Sequence, residues 1–164
     1  KSLAMAPASA PTKINLGIAY LQLKRPLDAA RTLREAVTLS PDFAQARVFL
    51  GQALLSSDSL SAALVEYKKA TELDPTNGAA LRGAAFVHIK RGEHGQAVTL
   101  LRQATDADPR SAENWVVLGQ ALAGMNNVPE AIKAVEKGLE INPNHEQGKK
   151  VLDILKKSQK TAGK

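Results

Sequence analysis

Ala29-Ala30-Arg31-Thr32-Leu33-Arg34-Glu35-Ala36-Val37-Thr38-Leu39-Ser40-Pro41 is the stretch from which the chain can be read, because relatives of it return at a fixed interval. Steps of 34 residues from Pro41 reach Pro75, Pro109 and Pro143, and the same steps from Ala29 reach Ala63, Ala97 and Ala131. From Gly17 they reach Gly51, miss at Ala85 and recover at Gly119. Landmarks that share one period without an insertion mark a solenoid, in which each unit buries its apolar face only by stacking on its neighbours.

Within the quoted stretch, Ala29, Ala30, Leu33, Ala36 and Val37 follow one another at three- and four-residue steps, the pattern of an amphipathic helix. Pro41 ends it, since proline disfavours helical geometry in the residue before it. Ahead of it, Ile14, Leu16, Ile18, Tyr20 and Leu21 predict a first helix that ends near Lys24-Arg25-Pro26. The turn position holds Lys24, Asp58, Gly92 and Asn126 in successive units. Gly, Asn and Asp tolerate the left-handed conformation that closes helices, so three of the four support a helix–turn–helix and Lys24 fits poorly.

This divides the chain into units over residues 10–43, 44–77, 78–111 and 112–145. Residues 1–9 read as the remnant of an earlier unit's second helix, because Pro7 lies one period before Pro41 and Leu3 and Met5 match Val37 and Leu39. The alternative is an Ala/Ser/Pro leader. Residues 146–164 read as a capping helix to about Lys157 followed by a frayed, basic tail, with Val151, Leu152 and Leu155 on one side and Asp153 where a further repeat would carry glycine. The alternative there is a basic docking element for an acidic partner or lipid surface.

The composition is that of an ordinary globular chain, 44% hydrophobic and 23% charged over 164 residues. Aromatics at 4% suit alanine-mediated helix packing better than a sheet of β-branched and aromatic strands, so the fold class is all-α. Without cysteine there are no disulfides, zinc ribbons or thiolate catalysis, and the compartment stays open between cytoplasm and periplasm. No apolar run reaches the length of a membrane span. The net charge of +6 sits largely in residues 146–164, where six lysines face two acids, so the first 145 residues carry only +2. A nucleic-acid binder would show a basic stripe along its folded face, and the repeats show none.

Catalytic chemistry is equally absent from the pattern. His88, His94 and His145 stand in no regular spacing to acids, and His88 reads as core or half-buried rather than as a metal ligand. There is no Gly-rich phosphate loop, nucleophile elbow or paired metalloprotease histidine. Asp106 and Asp108 precede Pro109 as Asp74 precedes Pro75, which makes them turn residues. No catalytic, metal or cofactor site is expected.

The units resemble the tetratricopeptide repeat family over residues 10–145. Leu16-Gly17 with Tyr20, Leu50-Gly51, Trp115 with Leu118-Gly119, and the second-helix alanines and terminal prolines carry the resemblance. Lys13 and Arg47 replace the family's aromatic, Ala84-Ala85 its Leu-Gly, His88 its tyrosine and Gly138 its last alanine. The resemblance implies a right-handed superhelical solenoid of antiparallel helix pairs with a C-terminal capping helix. It also implies protein or peptide binding on a concave face lined by the first helices. On that mapping the partner-binding residues are Ile14, Asn15 and Ile18; Val48, Phe49 and Gln52; Arg82, Phe86, Ile89 and Lys90; and Glu113, Val116 and Gln120. Phe49, Phe86, Ile14 and Ile18 are the expected anchors, with Arg82 and Lys90 favouring acidic flanks. Members that hold chaperone C-termini use lysine and asparagine at two leading first-helix positions, which here are Ile14 and Ile18, or Val48 and Gln52, so that clamp is absent. The readings kept beside the adaptor are self-association through the repeat ends and a regulatory module of a larger enzyme. The alanine richness suggests a bacterial source.

Overall fold

The computed structural model describes residues 9–162. The remnant expected before α1 therefore lies outside the described residues, except for Ser9, which caps the first helix by accepting a hydrogen bond from the Thr12 amide. Nine helices and no strand are found among the described residues. They are α1 (Ala10–Gln22), α2 (Pro26–Leu39), α3 (Ala44–Ser56), α4 (Leu60–Leu73), α5 (Gly78–Lys90), α6 (His94–Ala107), α7 (Ala112–Gly124), α8 (Val128–Ile141) and α9 (Glu146–Ala162). Each odd-numbered helix from α1 to α7 has 13 residues and each even-numbered one 14, so the period seen in the sequence is kept without slippage.

Two compact units form, one holding α1 to α4 and the other α5 to α9. In the first, each helix packs on the next in sequence and α1 also packs on α3. In the second the same rule holds, with α5 on α7 and α7 on α9. These are antiparallel helix pairs stacked first helix on first helix.

The reversal inside each pair has one geometry. Lys24, Asp58, Gly92 and Asn126 all have positive φ, between 56° and 76°. The following residue's amide then reaches back five positions, from Arg25 to Tyr20, Ser59 to Leu54, Glu93 to His88 and Asn127 to Leu122, at 2.8–3.0 Å. This is the Schellman closure, which satisfies carbonyls the helix end would leave open. Lys24, the poor fit in the sequence, adopts the same conformation as its counterparts because the shared backbone bonds hold it there. The breaks between pairs are equally uniform. Ser40, Asp74, Asp108 and Asn142, each before a proline, take extended geometry with φ from −131° to −141°. Asp108 accepts from the Arg110 amide at 3.2 Å and Asn142 from the Asn144 amide at 3.0 Å, so they serve the turns.

Inside each pair the two helices meet at one small residue. Gly17 faces Leu33, Gly51 faces Tyr67 and Gly119 faces Val135. A methyl at Gly51 would lie 2.8 Å from the Tyr67 ring, and at Gly119 one would lie 2.9 Å from the Ala131 carbonyl oxygen. Ala85 takes this position in the third pair and is fully buried with Leu101. Gly138 has a similar cause: a methyl there would come within 2.9 Å of the Ala112 carbonyl and of Val116.

The final helix α9 stands where another first helix would, packing on α8 and α7. Leu155 is buried, with Val151 and Leu152 against the same core. Glu146, Lys150, Asp153 and Lys157 are all exposed, so the face that would receive a second helix is charged. The helix runs past the expected end at Lys157 to Ala162, since Ser158-Gln159-Lys160-Thr161-Ala162 contains neither proline nor glycine to stop it.

Lys24→Gly removes the side-chain penalty of the left-handed conformation while adding unfolded-state freedom. The net expectation is a gain of about 0.5–1 kcal/mol. Chemical denaturation reads it as a higher midpoint, and a lower midpoint would contradict the assigned strain.

Candidate functional site

Equivalent first-helix positions recur at the 34-residue period and make columns of the aligned repeats, and burial separates these columns sharply. Ile14, Val48 and Val116 share one column and are 6%, 6% and 1% exposed, so they are core residues and offer no surface. The cause is visible at Val116, whose Cγ2 is wedged against the backbones of Gly138 in α8 and Gly148 in α9. Arg82, the fourth member, is half-buried. The next column holds exposed Asn15 and half-buried Phe49, then Gly83 and Val117, both buried.

Ile18, Gln52, Phe86 and Gln120 hold one equivalent position that keeps accessible surface in every repeat, being exposed at Gln52 and half-buried elsewhere. Ile89 is half-buried, and Lys90 and Glu113 are exposed. The same steps of one period from Lys90 reach exposed Ser56 and Gln22, and from Glu113 they reach half-buried Gln45 and exposed Pro11. The sequence mapping passed over these four residues, although the period that yielded Lys90 and Glu113 pointed to them. Of the expected set, the accessible residues of the first unit are Asn15, Ile18, Phe49 and Gln52. In the second they are Phe86, Ile89, Lys90, Glu113 and Gln120, with Arg82 half-buried.

Two of the polar residues in the expected set are tied into the scaffold. Arg82 Nη1 donates to Asn114 Oδ1 at 2.7 Å, and Asn114 Nδ2 donates to the Ala104 carbonyl at 3.1 Å. Asn114 is 1% exposed and joins α5, α6 and α7 in one network. No periodic signal singled it out, because Ala46 and Ala80 stand at its place in the preceding units. Glu113 Oε2 accepts from His145 Nε2 at 2.7 Å, while His145 Nδ1 accepts from the Gly148 amide at 3.0 Å. That second bond places the proton of the neutral imidazole on Nε2, aimed at the carboxylate. Lys90 has no ion-pair partner among the described residues and is the exposed cation of this face.

The departures from the family pattern also find partners. Trp115 Nε1 donates to the Pro109 carbonyl at 2.9 Å, six residues back. Arg47, at the equivalent place, donates from Nε to the Pro41 carbonyl at 3.0 Å, again six residues back, and adds a 2.9 Å ion pair from Nη1 to Glu66. Lys13 pairs with Glu35, and the ammonium's hydrogen bond and charge hold that carboxyl below the usual glutamate value. His88, half-buried as expected, bonds to Glu93 through Nδ1, as Tyr20 at the equivalent position stacks under Arg25 at 4.9 Å.

Among the described residues no helix is long and apolar enough to cross a membrane, and no group of three His, Cys, Asp or Glu side chains is arranged to hold a metal.

Family models described as tetratricopeptide repeat match residues 14–78, and residues 54–113 and 88–153. A relative, the small glutamine-rich tetratricopeptide repeat-containing protein 2 of Mycosarcoma maydis, is 35% identical over 108 residues, which are 65% of this chain and 30% of that protein. Anaphase-promoting complex subunit 7 of Arabidopsis thaliana is 30% identical over 142 residues, 86% of this chain and 25% of the relative. The chain spans under a third of the length of either. A crystal structure of MamA superposes with a TM-score of 0.74 at 26% identity, covering 86% of this chain and 82% of that one.

Asn114→Ala strands the Arg82 guanidinium and removes a donor from the Ala104 carbonyl, which is expected to cost about 1–3 kcal/mol. A denaturation curve superimposable on the parent's would contradict the network.

Proposed function

Because this chain belongs to the tetratricopeptide repeat family, we propose that it is a protein–protein interaction module that holds a peptide or helix of a partner on the accessible faces of its first helices. The observation that carries this is the half-buried state of Ile18, Phe49, Phe86 and Ile89. Such side chains keep apolar surface in water next to polar Asn15, Gln52 and Gln120, the mixture by which an anchor pocket with a hydrogen-bonding rim recognises a chain. Aromatic anchors carry a disproportionate share of the binding energy in such interfaces. The charge preference is narrower than the sequence suggests: Lys90 is available for an acidic flank, whereas Arg82 is held by Asn114. The likeness to a subunit of a multi-protein complex supports the same reading.

This reading assigns no reaction to the chain. Association through stacked repeat ends is disfavoured on the α9 side, where a new helix would have to cover Glu146, Lys150, Asp153 and Lys157.

Phe49→Asp and Phe86→Asp each replace an anchor in a different unit. Pull-down with the purified chain, identified by mass spectrometry, supplies the partner, and titration then compares variants. Each exchange is expected to weaken capture by about tenfold or more with unchanged helicity. Capture retained by the double variant would contradict the assignment.

A further inference from the structure

A groove of about 320 Å³ opens in the second unit between α6 and α8, above α7. Trp115, Leu118, Leu122 and Ala134 make its apolar floor. At 100° per residue, Trp115, Leu118 and Leu122 lie on the side of α7 opposite Glu113 and Gln120, so this surface is separate from the first-helix face described above.

The groove exists because of two substitutions relative to the first unit. Two periods earlier, Trp115 is replaced by Arg47 and Ala134 by Glu66. There the two side chains bridge at 2.9 Å and are only 13% and 15% exposed, so the ion pair occupies the space. In the second unit the alanine leaves that space empty and the indole, tethered to the Pro109 carbonyl, forms a fixed wall.

The rim is cationic. Lys133, Lys137 and Arg102 line it against a single carboxylate, Glu130. Arg102 is paired with Glu130 across α6 and α8. Lys137 pairs with Glu140 at 3.2 Å, but both side chains are more than half exposed, so that pair exchanges readily with another carboxylate. Lys133 has no ion-pair partner among the described residues. At its place the first unit has Val65.

We propose that this groove is a second docking site, for a partner-protein segment that inserts one bulky apolar side chain between α6 and α8 and carries carboxylates on its flanks. The apolar floor supplies the anchor pocket, and Lys133 and Lys137 select the charge of the flanks. The site needs neither Phe49 nor Phe86.

Trp115 is the single tryptophan of the chain, so its emission reports on the groove directly. The probe is a blocked hexapeptide of two glutamates, leucine, phenylalanine and two glutamates, titrated into the full chain. The expected result is a saturable blue shift, which a peptide with lysines for the glutamates and one with serine and alanine for leucine and phenylalanine fail to give. Lys133→Glu with Lys137→Glu, both on exposed positions, should weaken the acidic probe by about tenfold. Ala134→Leu should abolish the shift by filling the groove, with helicity checked by circular dichroism, and Phe49→Asp with Phe86→Asp should leave it unchanged. No shift with the acidic probe, equal binding of the lysine peptide, or binding unaffected by the charge reversal overturns the proposal. So does emission that changes with protein concentration in the absence of peptide, because the occupant is then a second copy of the chain.

Discussion

The close approach of each first helix to its second helix, at Gly17, Gly51, Ala85 and Gly119, is the contact on which the rest of the structure depends. At the three glycines even a methyl would meet Leu33, Tyr67 or Val135, all almost fully buried. Packed interiors cannot yield by even a methylene without strain, so the small residue sets the distance between the helices. With the distance set, the Schellman closure sets the turn and the proline-terminated second helix sets the step to the next pair. Geometry propagates from one contact through repetition.

Repetition also explains why the distinctive features lie at the exceptions. A position that repeats identically serves the scaffold, as the second-helix alanines do. Where a repeat departs from its neighbours the structure either restores the scaffold by other chemistry or opens a feature. Arg47 restores it, reproducing the hydrogen bond of Trp115 to the preceding proline carbonyl and using Glu66 to fill the remaining space. Ala134 opens a feature, since nothing replaces the volume of that glutamate. Gly138 belongs to the first class: it admits Val116 and the Ala112 carbonyl at close range.

The helix pairs of the four repeats and their order were legible because a period of 34 residues is a global signal that averages over local misfits such as Lys24, whereas the end of α9 lies outside that period and was placed too early. The surface was legible only in part. Ile14, expected as an anchor, and Val48 and Val116, expected on the partner-binding face, were placed there because first-helix position and apolarity were the only criteria available. Their burial depends on the backbone of the adjoining helices, as the contact of Val116 with Gly138 and Gly148 demonstrates. Ile18, Gln52, Phe86 and Gln120 were all in the expected set, because the same period aligns them. Asn114 was not, because a buried asparagine that bridges Arg82 and a carbonyl ten residues away has no periodic counterpart. The groove over Trp115 was hidden for a related reason: it arises from a pair of positions 19 residues apart whose joint volume matters and whose separate identities look ordinary.

The most direct test of this account is a double-mutant cycle on Gly119 and Val135, followed by equilibrium denaturation. Gly119→Ala alone should destabilise the chain by about 1–3 kcal/mol, although alanine is the better helix former. In the background of Val135→Ala, where the opposing side chain has been cut back, the same exchange should cost markedly less, a coupling of at least about 0.5 kcal/mol. Additive effects, or a stabilisation by Gly119→Ala alone, would show that the contact does not set the helix spacing.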